Sequence, residues 1–198
     1  EDCVPLGIVV RDALGYAENI SEVKEILEKG KCKVDGRDVR DHRFPVGIFD
    51  SLQLGEEYFR VIPSKNGFDI VSIDESDSKE KICRIEDKRT LKDGKIQLNL
   101  NDGKNILAEN EELEKIPTGS SVVLSVAEME VEEILELEEG QDIVITEGKN
   151  RGSLAQFKEK KELKGSKENR VVVTQEGKEV DLPEDLVFCV KEEMMNKE

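Results

Sequence analysis

Five cations, Lys31, Lys33, Arg37, Arg40 and Arg43, fall within residues 31–43. Fixed positive charge at that density suits phosphate or carboxylate: an ammonium acts as a point charge, and a guanidinium offers a planar fork of donors. A smaller group is Lys149 and Arg151, inside Glu147-Gly148-Lys149-Asn150-Arg151-Gly152, where two glycines stand four apart. Glycine permits positive φ and leaves backbone N–H groups open, so these cations can approach a phosphate or a protein carboxylate. Covalent chemistry has no comparable candidates. His42 is the single histidine, and the cysteines Cys3, Cys32, Cys83 and Cys189 contain no C-x-x-C pair. There is no G-x-S-x-G and no phosphate-loop glycine pattern. Asp35, Asp38 and Asp41 lie close together but lack the calcium-loop spacing. The expectation is no catalytic residue, no metal and no cofactor, with the cysteines acting as small buried hydrophobes in a reducing cytosol.

The elements that carry these residues follow from periodicity. Pro5 suits a first helical turn, Leu6, Val9, Val10, Ala13 and Leu14 form one apolar stripe, and Gly15 stands at the C-cap position. Asn19 with Glu22 marks a capping box; Ile20, Val23, Ile26 and Leu27 keep helical spacing, and Gly30 ends the second helix. From Lys31 the period becomes two, with Cys32 and Val34 on one face and Lys31 and Lys33 on the other, and Asp35-Gly36 predicts a tight hairpin turn. Further on, Tyr58 to Ile62, Phe68 to Val71, Gly94 to Asn101, Lys104 to Leu107 and Ser121 to Val126 read as short strands of a small barrel. Ile96, Leu98 and Leu100 face its core, and Gln97 and Asn99 face away. A second compact β unit is predicted from Ile143 to Ile145, Leu154 to Phe157, Val171 to Val173 and Leu186 to Val190.

Composition sets the outer bounds. The 198 residues carry 30 Lys and Arg against 46 Asp and Glu, a net charge of −16. Length allows one large domain or two to three small ones. No apolar run approaches the roughly 18 residues of a membrane span, and no basic-then-apolar leader is present at the start. The chain begins at Glu1 without an initiator methionine, as expected of a fragment or processed form. Residues 111–140 hold ten acidic residues and one lysine, so more than half the charge excess sits there. This segment, interleaved with Leu113, Ile116, Val131, Ile134, Leu135 and Leu137, reads as a solvated face of strands and a linker, the alternative being a surface for a basic partner. Elsewhere the charge is near balance. Nucleic-acid binding follows the local basic patch rather than the sum, so the acidic total does not exclude it.

Two helices followed by KCKVDGRDVRDHRFPVGIFD resemble the S-four-type RNA-binding domain, also called the alpha-L motif. GKIQLNLNDGKN resembles the central-domain signature of the archaeal and eukaryotic type of small-subunit ribosomal protein four, and the Gly148–Gly152 segment resembles a KOW motif. The family more often has histidine where Asn101 stands, and the usual KOW pattern has a third glycine where Ala155 stands. The three matches occur in the family's order. The chain is therefore identified as a member of that family, called S-four-e in words, whose members carry a basic N-terminal extension before the first helix.

The resemblance implies an α+β, mostly β fold. It divides into an alpha-L domain at 1–54, a central barrel at 55–140 that includes the acidic segment, a KOW SH3-like barrel at 141–191 and a tail at 192–198. It implies a structural constituent of the small subunit in the cytoplasm, bound to small-subunit rRNA and neighbouring ribosomal proteins. It implies no membrane, no small-molecule substrate and a monomer away from the ribosome. The residues it carries over as RNA-binding are Arg11, Lys24, Lys31, Lys33, Arg37, Arg40, Arg43, Lys149 and Arg151. The competing classes are an RNA-modifying enzyme, for which the catalytic domain is missing, and a non-ribosomal RNA-binding or KOW-type adaptor.

Overall fold

A computed structural model describes residues 3–161 and 169–195. The described chain is mostly β, and forms two compact units. The first unit runs to Lys81 and takes in Ser125–Glu130; the second holds Ile82–Leu124 and Val131–Met195. No helix among the described residues is long and apolar enough to cross a membrane.

The first unit opens with strand β1 (Cys3–Pro5) and helix α1 (Leu6–Ile8), which continues as a π-helical turn over Val9–Ala13. Leu6, Val9 and Val10 are buried as their spacing predicts, but Ala13 is exposed. The physical reason is the wider turn: Leu14 N–H reaches back to Val9 O at 3.0 Å, and one extra residue per turn rotates Ala13 off the stripe. Helix α2 (Ile20–Glu28) starts where Asn19 accepts a hydrogen bond from Glu22 N–H at 3.1 Å, and its Val23 and Leu27 are fully buried. The Glu22 carboxylate in turn accepts from the Asn19 side-chain amide and from the backbone N–H of Glu18, the residue before the cap, each at 2.8 Å.

Strands β2 (Cys32–Val34), β3 (Arg37–Asp38), β4 (Pro45–Gly47), β5 (Ser51–Leu54), β6 (Glu57–Ser64) and β7 (Gly67–Ile73) follow. β4 pairs with β1, and the others form one antiparallel sheet in the order β3-β2-β5-β6-β7. That sheet spans residue 54: β6 and β7 continue the surface that the basic hairpin begins. Leu6, Val9, Val23, Leu27, Cys32, Val46, Leu52 and Val61 form the core between helices and sheet. Each such side chain contributes about 1.5–3 kcal/mol by leaving water.

In the second unit, β8 (Glu80–Thr90), β9 (Ile96–Leu100), β10 (Asn105–Leu107), β11 (Ser121–Ser125) and β12 (Val131–Leu135) form a sheet in the order β10-β9-β8-β11-β12. The first two residues of β8 and the last of β11 belong to the first unit. Leu98 and Leu100 are buried, while Gln97 Nε2 donates to Asn99 Oδ1 on the other face. Strand β8 has no counterpart in the sequence prediction, because Ile82, Cys83 and Ile85 are buried nearly in a row and show no period of two.

The acidic segment splits into three roles. Helix α3 (Glu111–Lys115) is capped by Asn110, places its acids where a helix N-terminus favours negative charge, and buries Leu113. β12 is an edge strand with Glu132 and Glu133 exposed, a charge pattern that discourages strand addition. Ser125–Glu130 returns to the first unit.

The remaining strands, β13 (Asp142–Ile145), β14 (Leu154–Lys161), β15 (Arg170–Gln175), β16 (Lys178–Pro183) and β17 (Val187–Cys189), form an antiparallel sheet in the order β16-β15-β14-β13-β17. A 3-10 turn at Glu184–Leu186 brings β17 back to β13, with Ile143 opposite Cys189. This meander with a returning fifth strand is a compact β unit, as the short strands predict, with the strand order of the SH3-like barrel that the resemblance implies.

Three cysteines are buried as expected, and burial pushes the Cys32 and Cys189 thiols up to about 12, far from reactive thiolate. Cys3 departs from the expectation. It is exposed, because β1 is a short ribbon whose pleat turns Cys3 and Pro5 outward on either side of the half-buried Val4.

Candidate nucleic-acid interface

The basic hairpin is built by its turn. Asp35 and Gly36 both have positive φ, 46° and 70°, which is the two-residue geometry whose twist matches paired strands. β2 and β3 then pair with Lys33 opposite Asp38 and Val34 opposite Arg37. Directly opposed residues lie on the same face, so Arg37 stands on the Val34 side and Lys33 on the other. The two cations flank the hairpin instead of sharing one face. Lys31 and Arg37 are exposed and Lys33 is half-buried, while Cys32, Val34 and Val39 anchor the ribbon in the core.

Arg40 and Arg43 lie exposed on the chain between β3 and β4. Arg43 is tied to Asp41, whose carboxyl accepts Arg43 N–H at 2.9 Å; that backbone bond and the nearby guanidinium hold Asp41 below its ordinary range. Lys24 is exposed on α2. Arg11 follows α1 and forms a bidentate pair with its neighbour Asp12, at 2.6 and 2.7 Å, so part of its charge is already answered. Seven of the nine sequence-predicted cations thus belong to the first unit.

Lys149 and Arg151 belong to the second unit, in the loop between β13 and β14. Gly148 and Gly152 have φ of 78° and 77°. Backbone bonds close the loop on itself: Gly152 N–H to Ile145 O at 2.7 Å, Ile145 N–H to Ser153 O at 3.1 Å, and Arg151 N–H to Gly148 O at 3.3 Å. Lys149 is exposed and Arg151 half-buried. Ala155, where KOW motifs have a third glycine, is buried in β14 opposite Ile143.

Sequence inspection did not single out the buried charges. Lys81 is 3% exposed, with its ammonium 2.6 Å from Asp35 Oδ2 and 2.5 Å from Asp50 Oδ1. Burial and the nearby charge of Asp35 push the Asp50 carboxyl up, against the pull of Lys81 and of Gly47 N–H. Arg60, 1% exposed, donates through Nη2 to the carbonyls of Asp77 and Glu80. Arg84 of the second unit lines a cleft of about 400 Å³ with Glu86, Gly119, Asn169, Glu184 and Asp185. Its guanidinium is engaged by Glu86, by the carbonyls of Asp185 and Val187, and by the Phe188 ring at 5.8 Å, so it serves as an internal strut. The available signal was a charge inside an apolar run: Asp50 sits between Ile48-Phe49 and Leu52, and Lys81 precedes Ile82-Cys83. Among the described residues, no group of three His, Cys, Asp or Glu could hold a metal ion.

Residues 55–131 match the model of the Ribosomal family S4e. Small ribosomal subunit protein eS4 of Methanocella arvoryzae is 36% identical over 190 residues, 94% of this chain and 79% of that protein. The chain belongs to the S4e family. Its relative from Ignicoccus hospitalis, also a small ribosomal subunit protein eS4, is 38% identical over 168 residues, covering 80% of this chain and 66% of that protein. The crystal structure of the 30S ribosomal protein S4e from Thermoplasma acidophilum matches with a TM-score of 0.81 at 25% identity, covering 96% of this chain and 95% of that one. Against that S4e background Asn101 is a structural residue: its Oδ1 accepts Arg84 N–H at 2.9 Å, and its N–H donates to Arg84 O at 3.0 Å.

Proposed function

We propose that this S4e chain is a structural constituent of the small ribosomal subunit, holding small-subunit rRNA by phosphate contacts for affinity and by RNA shape for specificity. The observation that carries this is the 36% identity with the Methanocella arvoryzae eS4 protein across 94% of the chain. The exposed cations on the hairpin and Lys149 in the Gly148–Gly152 loop supply the chemistry. Its partners are rRNA and neighbouring ribosomal proteins in the cytoplasm; it acts as a monomer when free, and it performs no catalysis. The alpha-L region at 1–54 and the KOW region at 141–191 are the two RNA-facing modules, with the 55–140 region between them.

The net charge of −16 repels RNA at long range, so affinity has to come from short-range contacts of the local basic patches. The test is binding of this chain to small-subunit rRNA and to an unrelated structured RNA across a salt series. The expected result is tighter binding to the ribosomal RNA with a steep loss as salt rises. Equal binding to both RNAs, or to neither, would overturn the proposal and favour the adaptor alternative.

A further inference from the structure

The turn of the basic hairpin is gripped from two directions. Beneath it, Lys81 bridges Asp35 and Asp50, and each carboxylate is fixed by a backbone donor: Ser51 N–H to Asp35 Oδ1 at 3.0 Å, and Gly47 N–H to Asp50 Oδ2 at 2.7 Å. Asp35 N–H also donates to Ser51 O at 2.9 Å. On the other flank, Gly36 packs against Val126, where an added Cβ would lie 3.3 Å from Val126 Cγ1. The strand segment carrying Lys81 is itself pinned. Arg60 holds the carbonyls of Asp77 and Glu80, and Val126 N–H donates to Lys79 O at 2.8 Å.

Two buried charges, Lys81 and Asp50, beside the half-buried Asp35 are costly to desolvate, and an apolar filling of the same space would serve stability about as well. An apolar filling would not fix the direction of the turn. β3 is only two residues long, too short to hold a hairpin by its own pairing. Arg37 directly follows Asp35-Gly36 and Lys33 stands two residues before Asp35, so any swing of the turn carries both cations with it.

We infer that Lys81, through Asp35 and Asp50, is a positioning residue that holds the basic hairpin in its RNA-binding geometry without touching RNA. This rests on the rRNA-binding role proposed above. Preorganised cations lose less freedom on docking, so the clamp acts on affinity as well as on fold.

The test compares Lys81→Met with Lys81→Arg in the full chain. Amide hydrogen exchange of residues 33–39 is measured without RNA, and affinity for small-subunit rRNA is measured across a salt series. In Lys81→Met, exchange across 33–39 should rise about tenfold relative to β5 and β6 as local opening becomes easier. Affinity should fall about tenfold, and the slope of log K against log salt should shrink by roughly one to two as Lys33 and Arg37 lose their phosphates. Lys81→Arg keeps a cation between the carboxylates and should restore all three readouts. If Lys81→Met does not fold, Asp35→Asn takes its place, since asparagine keeps the turn and the acceptor for Ser51 while removing the charge Lys81 holds. A folded variant with 33–39 still protected would overturn the inference, as would a loosened hairpin with unchanged affinity and slope. If the unaltered chain binds no ribosomal RNA, the proposed function fails and the RNA half of this inference with it. The exchange measurement would still decide whether Lys81 holds the hairpin.

Discussion

The hairpin around Asp35-Gly36 and the loop around Lys149 present the same kind of side chain on different kinds of support. The loop is closed mainly by hydrogen bonds between Ile145 and Ser153, with glycines at the two positive-φ positions, and has one distant anchor within its own unit, Thr146 N–H to Leu186 O at 2.9 Å. The hairpin tip depends on Lys81, 46 residues away in sequence, and on Val126, farther still. A loop closed mostly between near neighbours depends less on the rest of the fold. A tip clamped by distant groups is only as well placed as the fold that brings those groups under it.

Charge reversal tests which support matters more for RNA. Lys31→Glu, Lys33→Glu and Arg37→Glu together should weaken rRNA binding by about two orders of magnitude or more, by losing phosphate contacts and adding repulsion. Lys149→Glu should cost roughly tenfold or less, because it removes one contact. Both are read by titration at fixed salt, with circular dichroism confirming the fold. Equal losses, or an unchanged affinity in the folded triple variant, would break the contrast between the two regions.

Local support has a local failure. Gly148→Ala meets no atom within 4 Å, so its effect should be the cost of positive φ alone, about 1–2 kcal/mol. A urea midpoint gives that number. Hydrogen exchange should place the loosening in 146–153 and leave 33–39 unchanged; loosening that spreads to the hairpin would contradict the independence of the two supports.

The remotely clamped tip carries the smaller effect, a pH dependence. The carboxyl of Asp50 is raised in the folded chain, chiefly by burial, so above its ordinary value near 4 the folded state binds more protons than the unfolded one. Stability from this group is therefore present at low pH and is lost as pH rises through the folded value. Asp50→Asn removes that contribution. The stability of the unaltered chain relative to Asp50→Asn should decline as pH rises above about 4, measured by urea unfolding at successive pH values. A constant difference would mean that Lys81 and Gly47 offset burial at this carboxylate.

Much of the fold was legible because it is written between near neighbours. Asn19 and Glu22 cap α2, Asp35-Gly36 takes the required φ values, Leu98 and Leu100 alternate into the core, and Gly148 and Gly152 shape their loop. Each is a preference of a residue for a backbone conformation or for one face of a short element, so the amino-acid order determines it. The resemblance to S4e proteins rested on the same stretches. What tertiary structure alone decided is of another kind. The π-helical turn that exposes Ala13 answers to packing around Val9 and Val10, and β8 is buried without alternation, so periodicity leaves no trace of it. The ion cluster of Asp35, Asp50 and Lys81 joins residues up to 46 apart, whose meeting no local rule encodes. Local sequence determined which cations stand beside a turn; only the folded chain determined what holds that turn still, because charges interact through space rather than along the chain.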